Sequence, residues 1–456
     1  MDTRQKILVA LERELSNFLS KIEIFMKNET LLCRVTFQDG TFGFGQCGNK
    51  DVDLTREMLT RRVIPALYST QSSKPISLSV NALGLLLNSG KPIEMSPIAI
   101  RVLQFELNYK MMGVQMSKAI AGIDGAIWDA LGGKLKMPLY RLWNILYFEY
   151  QSVKPTLDSA QVYASSIARS ISKENLSNAF IELRNKCGIH IFKMKVGSRM
   201  NGVEDKDDQY DFDSIRNEMK HVQSQLGKDC HIAVDANGAF YSAIKIADIC
   251  SELNVLFLEE PVPWFRATMQ RSLPDSNHCK NLLRLSGGEQ EFRMDVFYHS
   301  MKANVVDIVQ PDFGYSGGPS HVLLICLKAR ELKSTTNNRI LTVFPHSPQG
   351  DLHPIMALHM LLAQNDHKGL LELACVNDGL RQVHLNDKNE FRPEFSSAGG
   401  LKIENGRARL LLSDETNNKI GGWGIEFNQN WLDTCEKLSL AMGDDLNSST
   451  RKRSFL

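Results

Sequence analysis

From about residue 158 onward the chain repeats one pattern eight times, and this repetition limits its fold more than any other feature. Short runs rich in β-branched and apolar residues recur: QVYASSI, IHIFKMKVG, CHIAVDANG, NVLFLEEP, LLRLSGGEQ, VVDIVQPDFG, ILTVFPHS and GLLELACV. Helix-length segments follow most of them. Strands alternating with helices predict parallel pairing, because a parallel neighbour is reached only through a long crossover. Eight such units predict an α/β protein whose core is a (β/α)8-type barrel over residues 158–385. An open doubly wound sheet would want a Gly-rich phosphate loop after its first strand, and none follows QVYASSI.

The residues before about 150 follow a different pattern. LLCRVTFQDGTFGFGQC holds two β-prone runs around Asp39-Gly40, a hairpin signal. SKAIAGIDGAIWDALGGKLKMPLYRLW reads as a helix of small residues stopped near Gly132-Gly133, with Pro138 opening the next turn. The first 22 residues read as an amphipathic helix whose apolar face is broken by Glu12, Arg13 and Glu14, which makes a poor signal peptide. The segment EDKDDQYDFD, 204–213, lacks EF-hand spacing and reads as a solvated acidic helix start. The last residues, 441–456, read as a basic solvated tail.

Composition narrows the partners. Lys plus Arg number 53 and Asp plus Glu 52 in 456 residues, a balance that gives no reason to expect nucleic acid or an acidic membrane surface. No run approaches the roughly 20 apolar residues of a membrane span. The nine cysteines are scattered without a CxxC pair, which suits reduced thiols in a cytoplasmic protein.

Seven of the eight runs carry polar or ionisable groups at their C-terminal ends, the catalytic rim of a barrel. Lys193 and Lys195 share one strand face, since side chains alternate. Two neighbouring ammonium groups are expected to depress each other's pKa, one route to a lysine base. Asp235, Glu259 and Glu289 close three successive strands, and three carboxylates make an oxygen-rich site for a hard ion such as Mg²⁺. Zinc would want His or Cys there. In VLFLEEPVPWF, alternation lets only one of two adjacent glutamates face inward. Glu259 shares a face with Phe257, leaving Glu260 to support it. Asp312 and His346 end neighbouring strands within reach of an acid/base pairing. Glu372 ends the eighth run and could, when protonated, hydrogen-bond a substrate carboxylate or serve as a helix cap.

The ordered set Lys-x-Lys, Asp-x-Asn, Glu-Glu-Pro, Gly-Gly-Glu, Asp with Gly-Gly, and Pro-His resembles the enolase superfamily, and the dyad with Lys-x-Lys resembles its mandelate racemase group. The resemblance implies a capping α+β domain over 1–150, completed by a C-terminal segment over 386–440 in which GGWGIEFNQNWL resembles the family's return to the cap. An N-terminal helix would then replace the family's first strand. The resemblance implies Mg²⁺ on Asp235, Glu259 and Glu289, with Lys195 as a base on one substrate face and His346, backed by Asp312, on the other. It places Lys193 at the substrate carboxylate, Glu372 at its far end and Asn237 near the substrate.

The reaction it implies is removal of the proton α to a carboxylate. The handling of enediolate charge by a metal and a Lys or His base is a known property of the superfamily. FPHSPQG resembles the seventh-strand segment of sugar-acid dehydratases, so the expected activity is Mg²⁺-dependent dehydration of an acid sugar, a lyase reaction giving a 2-keto-3-deoxy acid. A racemase or epimerase on the same machinery, and a barrel that binds without catalysis, remain alternatives. A homo-oligomer is expected by the same resemblance.

Overall fold

The structure is a computed structural model, and it describes residues 19–65, 113–148, 157–166, 171–197, 210–269, 283–335, 341–376, 383–412 and 421–441. The chain divides into two compact units: residues 1–153, 313–324 and 412–456 form one, and 154–312 with 325–411 form the other. The segment expected over 386–440 is thus shared between them.

In the first unit, β1 (Leu19–Lys27), β2 (Thr30–Phe37) and β3 (Phe42–Gln46) form an antiparallel sheet, with Glu436–Ala441 paired along the free edge of β1. Residues 19–22, read as helical from sequence, are strand. Leu19, Ile22 and Ile24 are buried there, and tertiary pairing overrides helical periodicity. The rest of that expected helix lies outside the described residues, and a first strand is present after all. The β2–β3 hairpin turns at Gly40, whose φ of +84° suits glycine.

Helix α1 (Gly113–Lys134) lies on β3, and the FGFG motif explains how closely. A Cβ at Gly43 would collide with the backbone of Ala126 and Ala130, and one at Gly45 with that of Gly122 and Ala126. Asp129 of α1 accepts from Phe44 N at 2.8 Å and from Trp423 N at 2.9 Å, tying β3 and the C-terminal segment to the helix. Burial pushes this carboxyl up to about 7.

The second unit carries the eight expected strands: β4 (Ala160–Ser166), β5 (Ile191–Lys195), β6 (His231–Asp235), β7 (Phe257–Glu259), β8 (Arg284–Gly287), β9 (Ile308–Val309), β10 (Thr342–Val343) and β11 (Leu370–Val376). They pair in parallel in the order β11-β4-β5-β6-β7-β8-β9-β10. No ladder joins β10 to β11 among the described residues. That seam is bridged beyond β10, where Ser347 Oγ donates to Glu372 O at 2.9 Å. The hairpin Gly400–Glu404/Arg407–Leu411 pairs antiparallel beside β4. Asp211, at the end of the acidic run, caps the helix Phe212–Leu226 by accepting from Asp213 N and Ser214 N; residues 204–209 lie outside the described set.

Register sorts the interior into layers, each built from alternate strands. The lowest is Ile191, Phe257, Ile308 and Leu370, all in one apolar cluster with Tyr163, Ala233 and Phe344. Those last three, with Ser286, come from β4, β6, β8 and the end of β10 and form the next layer. Above it stand Lys193, Glu259, Gln310 and Glu372, two residues further along the strands of the lowest layer. The inside of the barrel therefore passes from apolar floor to charged rim within four residues. Among the described residues no helix is long and apolar enough to cross a membrane.

Glu23 offers a test of the sheet in the first unit. Burial works against its ionisation, but Lys21, Lys437 and Arg34 outweigh it and hold its carboxyl down at about 2, below the ordinary 4.5. A depressed carboxyl stabilises the fold above its unfolded value, and that contribution is lost as pH falls toward the folded value. Glu23→Gln should cost on the order of 1–2 kcal/mol at pH 7, since the two lysines are partly solvent-screened. Thermal melts should show the mutant and parent converging between pH 5 and pH 2.

Candidate active site

Each strand of the rim delivers its polar side chain for a local reason. Alternation on β5 puts Lys193 and Lys195 on the inner face with Met194 turned away, and both reach Asp235 of β6. The register pairs Lys195 with Asp235, and Asp235 with Glu259. Beyond β8, Gly288 at φ +102° turns the chain so that Glu289 enters the same space. Asp235, Glu259 and Glu289 are all buried and present oxygens within 4.8 Å of one another.

Lys193 is a fully buried charge. Its Nζ lies 3.0 and 2.9 Å from the two oxygens of Glu259 and 2.8 Å from Glu372 Oε1, with the Tyr163 ring 5.5 Å away. Burial opposes its charge, but Glu259 and Glu372 more than compensate and raise its pKa well above the ordinary lysine value. The mutual depression expected for the lysine pair is therefore overturned at Lys193, because opposite charges crowd it more closely than Lys195 does. Glu372 is corrected in the same way. Burial would raise its carboxyl, yet Lys193 and His346 pull it down to about 2, so it stands ionised and not protonated.

Lys195 donates to Asp235 and to Asn237 Oδ1, the latter at 2.9 Å. Asn237 sits at φ +46°, a left-handed position Asn tolerates. There its backbone N–H donates to Asp235 Oδ1 at 2.8 Å and its amide to Glu289 Oε1 at 3.3 Å. His346 closes the arc: Nδ1 is 2.9 Å from Asp312 Oδ2 and Nε2 is 3.0 Å from Glu289 Oε2. Burial disfavours the imidazolium, but Glu289 and Asp312 hold its pKa well above the ordinary histidine value. The nine residues singled out from sequence thus lie in one contiguous cluster.

Glu260 does not project into that cluster. At φ +39° its side chain turns to accept from Gly288 N at 3.1 Å, which anchors the loop carrying Glu289. Two residues had no role assigned from sequence. Gln310 donates from Nε2 to Glu259 Oε2 at 2.7 Å, and Tyr163 lies under Lys193. The period-two spacing of Gln310 to Asp312 was a usable signal for the first.

The carboxylate set fits a hard divalent cation. All three donors are oxygens, none is His or Cys, and they converge within 4.8 Å of one another in a buried setting.

Comparison with known proteins identifies the family. Residues 177–430 match the family model described as Enolase C-terminal domain-like. The chain belongs to the enolase superfamily, in its mandelate racemase group. Among curated members of this superfamily it is similar to an arabinonate dehydratase of Saccharolobus solfataricus, 25% identical over 310 residues that cover 68% of this chain and 70% of the relative. It is also similar to a D-galactonate dehydratase of Cronobacter sakazakii, 24% identical over 324 residues, 70% of this chain and 73% of the relative. In fold it resembles the L-talarate dehydratase from Polaromonas sp. JS666 complexed with Mg and L-glucarate, with a TM-score of 0.65 at 16% identity, covering 93% of this chain and 99% of the other.

The dyad can be tested without substrate. Asp312→Asn removes one of the two carboxylates facing His346, so the imidazole pKa should fall while Glu289 keeps it above that of a free histidine. Imidazole NMR shifts followed against pH would show it. An unchanged titration would mean that Asp312 does not support the imidazolium.

Proposed function

We propose that this superfamily member is an Mg²⁺-dependent dehydratase of a sugar-derived acid. The observation that carries the proposal is the bracketing of three buried carboxylates by Lys195 at one end and the His346–Asp312 pair at the other. Asp235, Glu259 and Glu289 would hold the ion. When bound, Mg²⁺ supplies Lewis-acid stabilisation of charge on the substrate carboxylate oxygens.

The chain's own residues divide the remaining work. Lys193, held as an ammonium, lies beside Glu259 and adds positive charge where the enediolate develops, the largest barrier for so weak a carbon acid. Ionised Glu372 keeps that ammonium in place and accepts from a substrate hydroxyl. Lys195 Nζ takes the α proton. His346, whose raised pKa favours the imidazolium, delivers a proton from Nε2 to the β-hydroxyl, and the C–O bond breaks with loss of water. The enol left behind tautomerises to a 2-keto-3-deoxy acid. Both curated relatives are named for aldonic acids, which supports an aldonate as the first substrate to try.

Incubation with Mg²⁺ and a panel of aldonic and aldaric acids in D₂O, followed by NMR, should show substrate loss and a 2-keto-3-deoxy product. Deuterium entering the α position of an otherwise intact acid would instead indicate racemisation or epimerisation. His346→Asn should lower turnover by roughly 10²–10⁴-fold, the usual contribution of a positioned acid or base. Glu259→Gln should abolish Mg²⁺ binding in a calorimetric titration; retained binding would remove Glu259 from the ligand set.

A further inference from the structure

Three buried oxygens beneath the charged rim make no hydrogen bond to the protein: Tyr163 OH, Ser286 Oγ and Gln310 Oε1. They come from β4, β8 and the residue after β9, and register turns all three toward the barrel interior. Ser286 is level with Glu259 on one side and Ile308 on the other, so it points inward. Gln310 lies two residues beyond Ile308 on the same inward face. Tyr163 belongs to the interior cluster that includes Ile308 and Phe257. Gln310 is near enough to influence the Tyr163 hydroxyl, but the two do not meet in a bond of ordinary geometry.

The Gln310 amide cannot relieve this by rotating. Its Nε2 donates to Glu259 Oε2 at 2.7 Å, and a flipped amide would set carbonyl oxygen against carboxylate. The carbonyl must therefore face the interior. Leaving three such groups unsatisfied is costly, because each gives up its hydrogen bonds to water and gains none in return. Ala233 and Ser286 are small members of that layer, flanked by Tyr163 and Phe344. A small side chain at a layer position leaves room that a larger one would fill.

We propose that Tyr163 OH, Ser286 Oγ and Gln310 Oε1 form a buried water-binding site in the middle layer of the barrel, which fixes the Gln310 amide and through it the Glu259 carboxylate. A water there donates to Gln310 Oε1 and to one hydroxyl and accepts from the other, so all three groups are satisfied at once. Gln310 and the water are positioning elements: neither touches substrate. The water site stands independently of the dehydratase reading, and only its consequence for Mg²⁺ rests on that reading.

A crystal structure of the unmodified protein at about 1.8 Å or better should show one ordered water within hydrogen-bonding distance of all three atoms. A direct Tyr163–Gln310 bond, or no density between them, would overturn the site. Ser286→Ala gives an independent sign. Removing a hydroxyl that holds a water should lower Tm by about 1–3 °C, whereas deleting an unsatisfied hydroxyl from a dry site would leave Tm unchanged or raise it. Calorimetric titration of Tyr163→Phe with Mg²⁺ should show affinity weakened about 3–10-fold, in the lower range for groups that orient a metal ligand. Parental affinity in that variant would leave a water without a positioning role. No Mg²⁺ binding by the unmodified protein would defeat the metal reading and leave the crystallographic result to decide the water site alone.

Discussion

The ion pairs around Lys193 are the interaction on which the rest of the site depends. A buried ammonium costs several kcal/mol unless it is closely paired. Here Glu259 and Glu372 supply that pairing from the fourth and eighth strands, against a lysine on the second. The arrangement locks three strands in register at the level where the barrel changes from apolar to charged. It also explains two departures from simple expectation: the pKa of Lys193 is raised instead of depressed, and Glu372 stays ionised instead of donating. Both follow from each group being the other's nearest counter-charge.

Around Lys193 the charged groups form an arc: Lys195, then Asp235, Glu259 and Glu289, then His346 with Asp312. Each carboxylate is buried and each faces a cation or a donor. Such a ring holds its side chains in place before anything binds, which is what a site stabilising a developing oxyanion needs. The backbone takes part in the same way. Asn237 and Glu260 both take left-handed backbone conformations at the ends of their strands. The first then bridges Asp235 and Glu289, and the second secures Gly288.

The first unit is built on a different constraint, the approach of a helix backbone to a strand. Gly43 and Gly45 leave no side chain between β3 and α1, and Asp129 uses that closeness to bind two other segments through their backbone N–H groups. A glycine pair and one buried carboxylate thus organise a sheet, a helix and a return segment more than 290 residues further on.

Much of this was determined by the sequence alone. The eight β-runs were legible because buried parallel strands must be apolar along most of their length, and the site residues because seven of the runs carry, toward their C-terminal ends, a group that a packing argument does not require. All nine lie together for that reason. The tertiary structure decided what depends on neighbours distant in the chain. Whether Lys193 is a base or a fixed cation turns on Glu259, 66 residues away, and no local pattern reports that distance. The partnership of Gln310 with Glu259 was likewise set by strand register, and the bond from Gly288 N to Glu260 by the turn beyond β8. Residues 19–22 show the converse: their spacing suits a helix, but two waiting strand edges make them a strand. Residue type and period specify which face a side chain can take, while charge state and contact are properties of the assembled barrel.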